Sequence, residues 1–437
     1  MSGERKPAEA SSRTAAPASD PAADSPAIYL HVVLVAALGT LVVLAWLWVY
    51  VTVNRLLWEN GAIEANPWLA PLICLPFALL TGLLVKYANA PTARDETLLD
   101  TLSGDAAHIE PRRLPANMLV AWTSLFSGAV VGPEGGIGGI GSKLAAFYAD
   151  RVGLPASERS RLVYATLAAA YNGLIASPVF TGVLAVELEP DPVKRSRNLP
   201  ANLIGGAIGF LVFHLLGVEG FRNYFAITTD QSLRPVDALL AVPLGLVGMV
   251  LALVAGVLMR VAERVFARFD GREVQRALAG GVVFSIVGIV APVLLFSGEA
   301  ESRAIVANPG TYGTLILLGM AVAKLALLAV ALKSGFLGGP IFPMVFAAMC
   351  IAEALGLLLP GIRIDLLAGA VMAGFLTAAF RAPFMVVLLV VVMLGASAEM
   401  TALILLSVAT VMIVGPIATR AMAARAGAGT TARGAAR

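Results

Sequence analysis

The stretch Gly132-Pro133-Glu134-Gly135-Gly136-Ile137-Gly138-Gly139-Ile140-Gly141 decides how this chain folds. It places one carboxylate among six glycines, between an apolar run that ends at Val131 and a helix-like segment from Lys143 to Ala149. Glycine leaves backbone N–H groups unobstructed, and the first turn of a helix offers unpaired N–H donors at the positive end of its dipole. The stretch therefore predicts an anion site that Glu134 fills while ionised and vacates when protonated.

The composition is that of a protein that crosses a membrane many times. Of its 437 residues, 58% are hydrophobic and 14% are charged, and the mean hydropathy is +0.84. The charges lie in clusters between apolar runs long enough to cross about 30 Å of hydrocarbon as helices. The net charge of +3 is small, and membrane topology explains the basic residues, because they lie in short loops. The lipid bilayer is therefore the predicted partner, and nucleic acid is not.

Enzymatic and metal chemistry find no support in the sequence. The two cysteines, Cys74 and Cys350, lie inside apolar runs, and the three histidines are scattered. There is no His-Glu-x-x-His zinc motif, and no lysine-serine pair follows the glycines as it does in a phosphate-binding loop. We predict no catalytic residue, no metal and no cofactor.

The chain divides into one membrane domain and two tails. Residues 1–28 are rich in Ala, Pro, Ser and Asp and predict a disordered N-terminal tail. Residues 29–420 form the transmembrane domain, and the Ala- and Gly-rich residues 421–437 predict a disordered C-terminal tail with no room for a regulatory domain. Basic residues before the first apolar run favour a cytoplasmic N-terminus. We expect an integral, multi-pass protein of a bacterial inner or plasma membrane.

One apolar run is unusually short. The run from Leu114 to Val131 is barely long enough to cross the bilayer before the glycine stretch interrupts it. Irregular backbone at that depth is tolerated only around a cavity, so a short, broken span indicates a substrate site near the bilayer midplane.

The two halves of the chain resemble each other. A second glycine-rich loop, Gly338-Gly339-Pro340-Ile341-Phe342-Pro343, opens an apolar segment as the first one does. The pattern of Ala168 to Pro178 returns at Thr377 to Pro383. We interpret these as inverted repeats, at about 67–220 and 237–417, whose two glycine-rich helix starts meet at one central site. The alternative is that glycine and proline simply recur in membrane helices.

The same motifs resemble those of the CLC family of chloride channels and chloride/proton antiporters. Gly132 to Gly136 is similar to the family's Gly-(Arg/Lys)-Glu-Gly-Pro, and Ile-Gly-Gly follows as in the family. Gly339 to Pro343 is similar to its Gly-x-Phe-x-Pro motif, shifted by one residue. The resemblance implies an all-helical membrane fold of two inverted repeats with tilted, partly re-entrant helices. It also implies a homodimer with a separate anion pathway in each subunit.

The resemblance also implies roles for single residues. It gives Glu134 the role of gate and proton-coupling group. Pro340 has no N–H to donate, so the second loop would contribute the N–H groups of Ile341 and Phe342. The closest match to the family's anion-binding tyrosine is Thr401. The implied anion-binding residues are Gly132, Pro133, Gly135, Gly136, Ile341, Phe342 and Thr401.

Four features of the family pattern are absent, among them the anion-binding tyrosine, since the chain has no tyrosine near Glu399 to Leu403. The family's first anion-binding motif, Gly-Ser-Gly-Ile-Pro, should fall near residues 92–96, where the sequence is Thr-Ala-Arg-Asp-Glu. Pro133 stands where the family has a basic residue, and Gly136 where it has proline. The sequence therefore leaves open which anion is carried.

A proton pathway is suggested by two further carboxylates. Glu187 and Glu189 end an apolar segment, and in proton-coupled family members a glutamate near this cytoplasmic end passes protons toward the gate. The alternative is a solvated helix end with its charges at the membrane interface.

Three functions are compatible with these observations. The first is transport of a small, chloride-like inorganic anion gated by Glu134 and coupled to proton antiport. The second is a passive, voltage- or pH-gated anion channel of the same fold, with fluoride or another anion as its substrate. The third is a membrane scaffold or sensor that transports nothing.

Overall fold

The computed structural model describes residues 26–93, 109–189, 191–229 and 232–434. Within these ranges the chain is all-helical and contains no β-strand. The first 25 residues of the predicted N-terminal tail lie outside the described residues, as do residues 94–108 of the polar loop where the family's first anion-binding motif would fall.

The described residues form sixteen α-helices, numbered here in chain order. The first eight are α1 (Ala27–Trp58), α2 (Ala62–Ala65), α3 (Ala70–Ala88), α4 (Leu114–Phe126), α5 (Glu134–Val152), α6 (Ala156–Ile175), α7 (Phe180–Leu188) and α8 (Pro192–Leu215). The other eight are α9 (Pro235–Phe266), α10 (Glu273–Val290), α11 (Glu299–Ala307), α12 (Thr314–Ser334), α13 (Ile341–Leu358), α14 (Ile364–Phe380), α15 (Pro383–Leu394) and α16 (Ala398–Gly434).

Helix lengths are uneven, as the sequence predicts. Eight helices of the described chain are long and apolar enough to cross a membrane, so the protein is an integral, multi-pass membrane protein. Others are too short to span: α4 has 13 residues, α7 has 9 and α15 has 12. A spanning helix needs about 20 residues. Each of these short helices has one end at a buried residue, Phe126 of α4, Phe180 of α7 and Leu394 of α15.

The two ends of α1 identify the two faces of the molecule. Near its start, His31 Nδ1 lies 2.8 Å from the Tyr148 hydroxyl at the far end of α5. At its other end, the Trp58 indole donates to the Phe126 carbonyl oxygen at 3.0 Å, and its ring lies 5.1 Å from that of Phe296. We call these the N-terminal face and the opposite face.

The core lies around α13 and α14. In α13, 72% of the most apolar 18-residue window is buried inside the protein, compared with 28% to 50% for the other spanning helices. A helix that is apolar on all sides has to be surrounded by protein or lipid. Here α12 and α14 pack against it, so the start of α13 lies in the protein interior.

The similar segments of the two halves have similar local structures. Helices α5 and α13 each begin directly after a proline, Pro133 and Pro340. Helices α6 and α14 each end at a residue in the left-handed conformation, Ala176 (φ 59°) and Arg381 (φ 56°), and a short helix follows each. These parallels favour the duplicated arrangement, while the repeat boundaries themselves remain a prediction.

The C-terminal segment differs from the sequence-based expectation. We expected residues 421–437 to be a disordered tail, but α16 continues as far as Gly434. Alanine is the strongest helix former, and the segment is rich in alanine. Its composition therefore allows the helix to extend past its apolar part.

Helices α6 and α8 pack closely through glycines. A methyl group added at Gly205 would lie 2.1 Å from the Ala165 carbonyl oxygen, and one at Gly209 would lie 2.0 Å from that of Ala169. Small residues let membrane helices approach to backbone contact, which is a main source of their association. These two positions therefore hold α8 against α6.

We predict that Gly209→Ala lowers the midpoint of thermal unfolding in detergent. Overpacking at a closely packed contact costs about 1–3 kcal/mol, which outweighs the gain of about 0.5–1 kcal/mol from replacing a helical glycine by alanine. The matched control is Gly319→Ala in α12, where an added methyl group meets no atom within 4 Å. Equal midpoints for the two variants would show that the α6–α8 contact is not tight.

Candidate anion site

The two glycine-rich loops pair with each other at the centre of the protein. The Gly132 N–H donates to the Gly339 carbonyl oxygen and the Gly339 N–H donates to that of Gly132, both at 2.8 Å, as an isolated antiparallel bridge. A methyl group at Gly135 would lie 2.6 Å from the Gly338 carbonyl carbon. Such distances exclude any side chain, so this close approach requires glycine.

Glu134 lies directly beside this bridge. It is the first residue of α5, and no part of it is exposed. Its Oε1 accepts the N–H of Phe342, in the first turn of α13, at 3.3 Å. Its Oε2 has no hydrogen-bond partner among the described residues. The carboxylate from the first half therefore occupies the positive end of a helix from the second half.

The electrostatic surroundings of Glu134 lack a cation partner. Among the described residues, no lysine or arginine forms an ion pair with it. Backbone N–H groups and the α13 dipole therefore provide the favourable interactions with the Glu134 carboxylate.

Polar side chains fix the first turns of α5. The Tyr171 hydroxyl donates to the Glu134 carbonyl oxygen at 2.7 Å, and the Asn117 amide donates to that of Gly136 at 3.3 Å. Lys143 donates in turn to the Asn117 side-chain oxygen at 3.3 Å. These three side chains are buried. They position the backbone that carries Glu134 without touching its carboxylate.

The second loop is held by the first half of the chain. Ser124, near the end of α4, accepts the N–H of Leu337 at 2.9 Å. The short helix α4 therefore ends where it can fix the loop that leads into α13.

A buried lysine lies near the same wall of the site. Lys324 of α12 is completely buried and donates to the carbonyl oxygens of Leu294 and Leu295, at 3.2 and 2.8 Å. Its ammonium group lies 4.5 Å from the ring centre of Phe346, one turn beyond Phe342 on α13. Tyr171 lies within the repeated Ala168 to Pro178 pattern and Lys324 within an apolar run, but the sequence did not assign either residue to this site.

The structure brings together six of the seven predicted anion-binding residues. Gly132, Pro133, Gly135 and Gly136 surround the start of α5, and Ile341 and Phe342 form the start of α13. Thr401 is located differently, in the first turn of α16, where its hydroxyl donates to the Ser397 carbonyl oxygen at 2.8 Å. That bond satisfies the hydroxyl within its own helix and does not link Thr401 to Glu134.

The two predicted relay carboxylates have different surroundings. Glu187 accepts the N–H groups of Phe384 and Met385, at 2.6 and 2.8 Å, and thereby caps the start of α15. Glu189 accepts the N–H of Asp191 at 3.0 Å and lines a small cavity with Arg195 and Asn202. Both lie at the end of α7, away from the glycine bridge.

The described residues contain no group of three or more His, Cys, Asp or Glu side chains placed to hold a metal ion.

Curated relatives of this chain are ion-transport proteins by name. YfeO of Salmonella newport (strain SL254), an ion-transport protein by name, is 27% identical over 345 residues, covering 76% of this chain and 79% of the relative. YfeO of Salmonella schwarzengrund (strain CVM19633) is 26% identical over the same shares of both chains.

Two solved structures share the fold. A slow cyanobacterial Cl⁻/H⁺ antiporter superposes with a TM-score of 0.74 at 18% identity, covering 90% of this chain and 95% of that one. A CLC-type fluoride/proton antiporter superposes with a TM-score of 0.71 at 21% identity, covering 88% and 94%. At these identities the likeness concerns the fold alone.

The sequence profile of the voltage gated chloride channel family matches residues 77–415, which include both glycine-rich loops and Glu134. This chain therefore belongs to the voltage-gated chloride channel (CLC) family, whose members transport anions as channels or antiporters.

Proposed function

We propose that this protein carries a small inorganic anion across the membrane, with Glu134 as its gate, in exchange for protons. The observation that carries the proposal is the Glu134 carboxylate at the start of α13, with the Phe342 N–H as its hydrogen-bond donor. We assign the protein transport and no catalytic reaction. Its proposed location is the plasma membrane of a bacterium.

The gate works through competition between two anions for one place. While ionised, the carboxylate holds the Phe342 N–H and the positive end of α13. Protonation removes the charge that attracts it to both. The side chain then leaves, and a small anion binds the exposed N–H groups in its place. Each opening therefore takes up a proton, which links anion passage to proton passage at one residue.

The buried surroundings support this exchange. Glu134 has no cation partner among the described residues. Neutralising it therefore leaves no unpaired buried cation behind. In proteins with a buried ion pair, such an unpaired charge costs several kcal/mol. The two loops stay joined through the Gly132–Gly339 bridge when the side chain moves, because that bridge uses backbone atoms only.

We predict that Glu134→Gln abolishes the pH dependence of anion flux into sealed vesicles. The amide cannot ionise and so cannot be released by a proton. The matched control is Glu353→Gln, since Glu353 is also a buried carboxylate and lies farther along α13. This control should keep the wild-type pH profile.

Two outcomes would contradict the gate. One is an unchanged pH profile in Glu134→Gln, and the other is the same loss in both variants. Absence of any anion movement by the wild-type protein, with chloride, fluoride and nitrate each tested under a gradient, would instead favour a scaffold or sensor.

Of the two relay candidates, we assign proton passage to Glu189 and helix capping to Glu187. Both oxygens of Glu187 already accept backbone N–H groups of α15, so it cannot take up a proton without uncapping that helix. Glu189 makes one such bond and lines a cavity.

We predict that an inward chloride gradient drives protons outward through the wild-type protein, and that Glu189→Gln reduces the proton flux more than the anion flux. Glu187→Gln should instead lower the thermal midpoint, because losing a helix cap costs about 0.5–2 kcal/mol. Anion flux without proton movement in the wild type would identify a passive channel. Uncoupling by Glu187→Gln alone would reverse the assignment.

The family resemblance extends the proposal to a homodimer with one anion pathway in each subunit. We predict two photobleaching steps per particle for singly labelled protein at low density in liposomes. A single step for nearly all particles, at the labelling efficiency measured in detergent, would exclude the dimer.

A further inference from the structure

A cavity of about 570 Å³ opens on the opposite face of the protein, outside the glycine-rich site. Its walls come from the ends of α6 and α8, from the loop after α8, from α11 and from the end of α15. With the N-terminus in the cytoplasm, this face is the extracellular one. The volume is large enough for a hydrated inorganic anion and several water molecules.

The charged groups of this cavity are mostly basic. Arg222 and Arg303 line it together with one carboxylate, Glu219, and with His214. Among the described residues, neither arginine forms an ion pair within 4 Å. Two guanidinium groups that face one cavity without a bound carboxylate make it favourable for an anion.

Arg303 is held in place by contacts that leave its charge intact. Its Nε donates to the Tyr224 carbonyl oxygen at 2.6 Å, and its guanidinium carbon lies 4.0 Å from the centre of the Tyr224 ring. Burial raises the pKa of the Tyr224 phenol above its ordinary value, so this ring is neutral at physiological pH. The terminal nitrogens of Arg303 have no hydrogen-bond partner in the described part of the chain. They are therefore available to a ligand.

A pair of aromatic rings links the loop that lines the cavity to the start of α13. Phe221 lies between Glu219 and Arg222 in sequence, and its ring centre is 4.2 Å from that of Phe342. The Phe342 N–H is the donor to Glu134. The Phe221 N–H donates to the Leu174 carbonyl oxygen at 3.1 Å, beside the cavity wall at Gly173. The basic cavity and the residue that donates to Glu134 are therefore connected through one pair of tilted aromatic rings.

We infer that this cavity is an outer anion-binding site, in which Arg222 and Arg303 hold the anion before it passes Phe221 and Phe342 to reach Glu134. This inference rests on the proposed transport function. The arginines raise the local anion concentration, and Glu219 lowers it. An anionic lipid headgroup offers the same chemistry, but the contact of the cavity loop with Phe342, through Phe221, favours the transported anion.

The test is the anion concentration that gives half-maximal flux, measured with chloride and then fluoride at low ionic strength in vesicles of neutral lipid. Arg303→Gln and Arg222→Gln should each raise this concentration by about twofold to fivefold, the effect of one exposed charge, with little change in maximal flux. Glu219→Gln should lower the anion concentration that gives half-maximal flux. A variant that merely damaged the fold could not produce this opposite shift. The matched control, Arg55→Gln, changes an exposed arginine of the same face that pairs with Glu59 and should leave it unchanged.

The possible results separate this inference from the function on which it rests. If the wild type moves no anion, the proposed function fails. If it does, but the three cavity variants match Arg55→Gln, the cavity is not a binding site. Shifts that appear only in vesicles with anionic lipid would assign the arginines to lipid headgroups and overturn the inference.

Discussion

The pair of backbone hydrogen bonds between Gly132 and Gly339 is the interaction on which this structure depends. Both loops are irregular backbone in the protein interior, where an unsatisfied polar group costs about 1–3 kcal/mol. Each loop donates one backbone hydrogen bond to the other loop and accepts one from it. The bridge thereby places the starts of α5 and α13 next to each other, and it does so with atoms that the movement of a side chain does not disturb.

The backbone bridge holds the site together although Glu134 forms no ion pair with any described residue. An arginine or lysine beside Glu134 would favour its charged form and hold it in place. Pro133 occupies the position where the family resemblance expects a basic residue. Two buried lysines of this region are bonded elsewhere: Lys324 donates to the carbonyl oxygens of Leu294 and Leu295, and Lys143 donates to Asn117. Positive charge is present near the site, and the Glu134 carboxylate itself is held by a backbone N–H and a helix dipole, whose attraction weakens when a carboxylate is protonated.

Much of this could be predicted from sequence because the decisive signals are local. Glycines next to a carboxylate, a span too short to cross, and a second glycine loop indicated the composite site, and the family resemblance implied the N–H groups of Ile341 and Phe342. Tyr171 was not found, because its bond to Glu134 joins residues 37 positions apart and goes to a carbonyl oxygen that any residue would provide. Thr401 was assigned by counting along the family pattern, and counting does not reveal that its hydroxyl bonds within its own helix. The repeat boundaries and the roles of the site residues remain predictions.

The distance along the chain between Glu134 and Phe342 has a consequence for biosynthesis. These residues are 208 positions apart, so the first half enters the membrane long before its hydrogen-bonding partners are made. Until then, the Gly132 loop exposes unpaired backbone and an unsupported carboxylate in a nonpolar setting. The site is therefore complete only after both segments have been synthesised, and a fragment that ends between them lacks both the Gly339 partner of Gly132 and the Phe342 N–H.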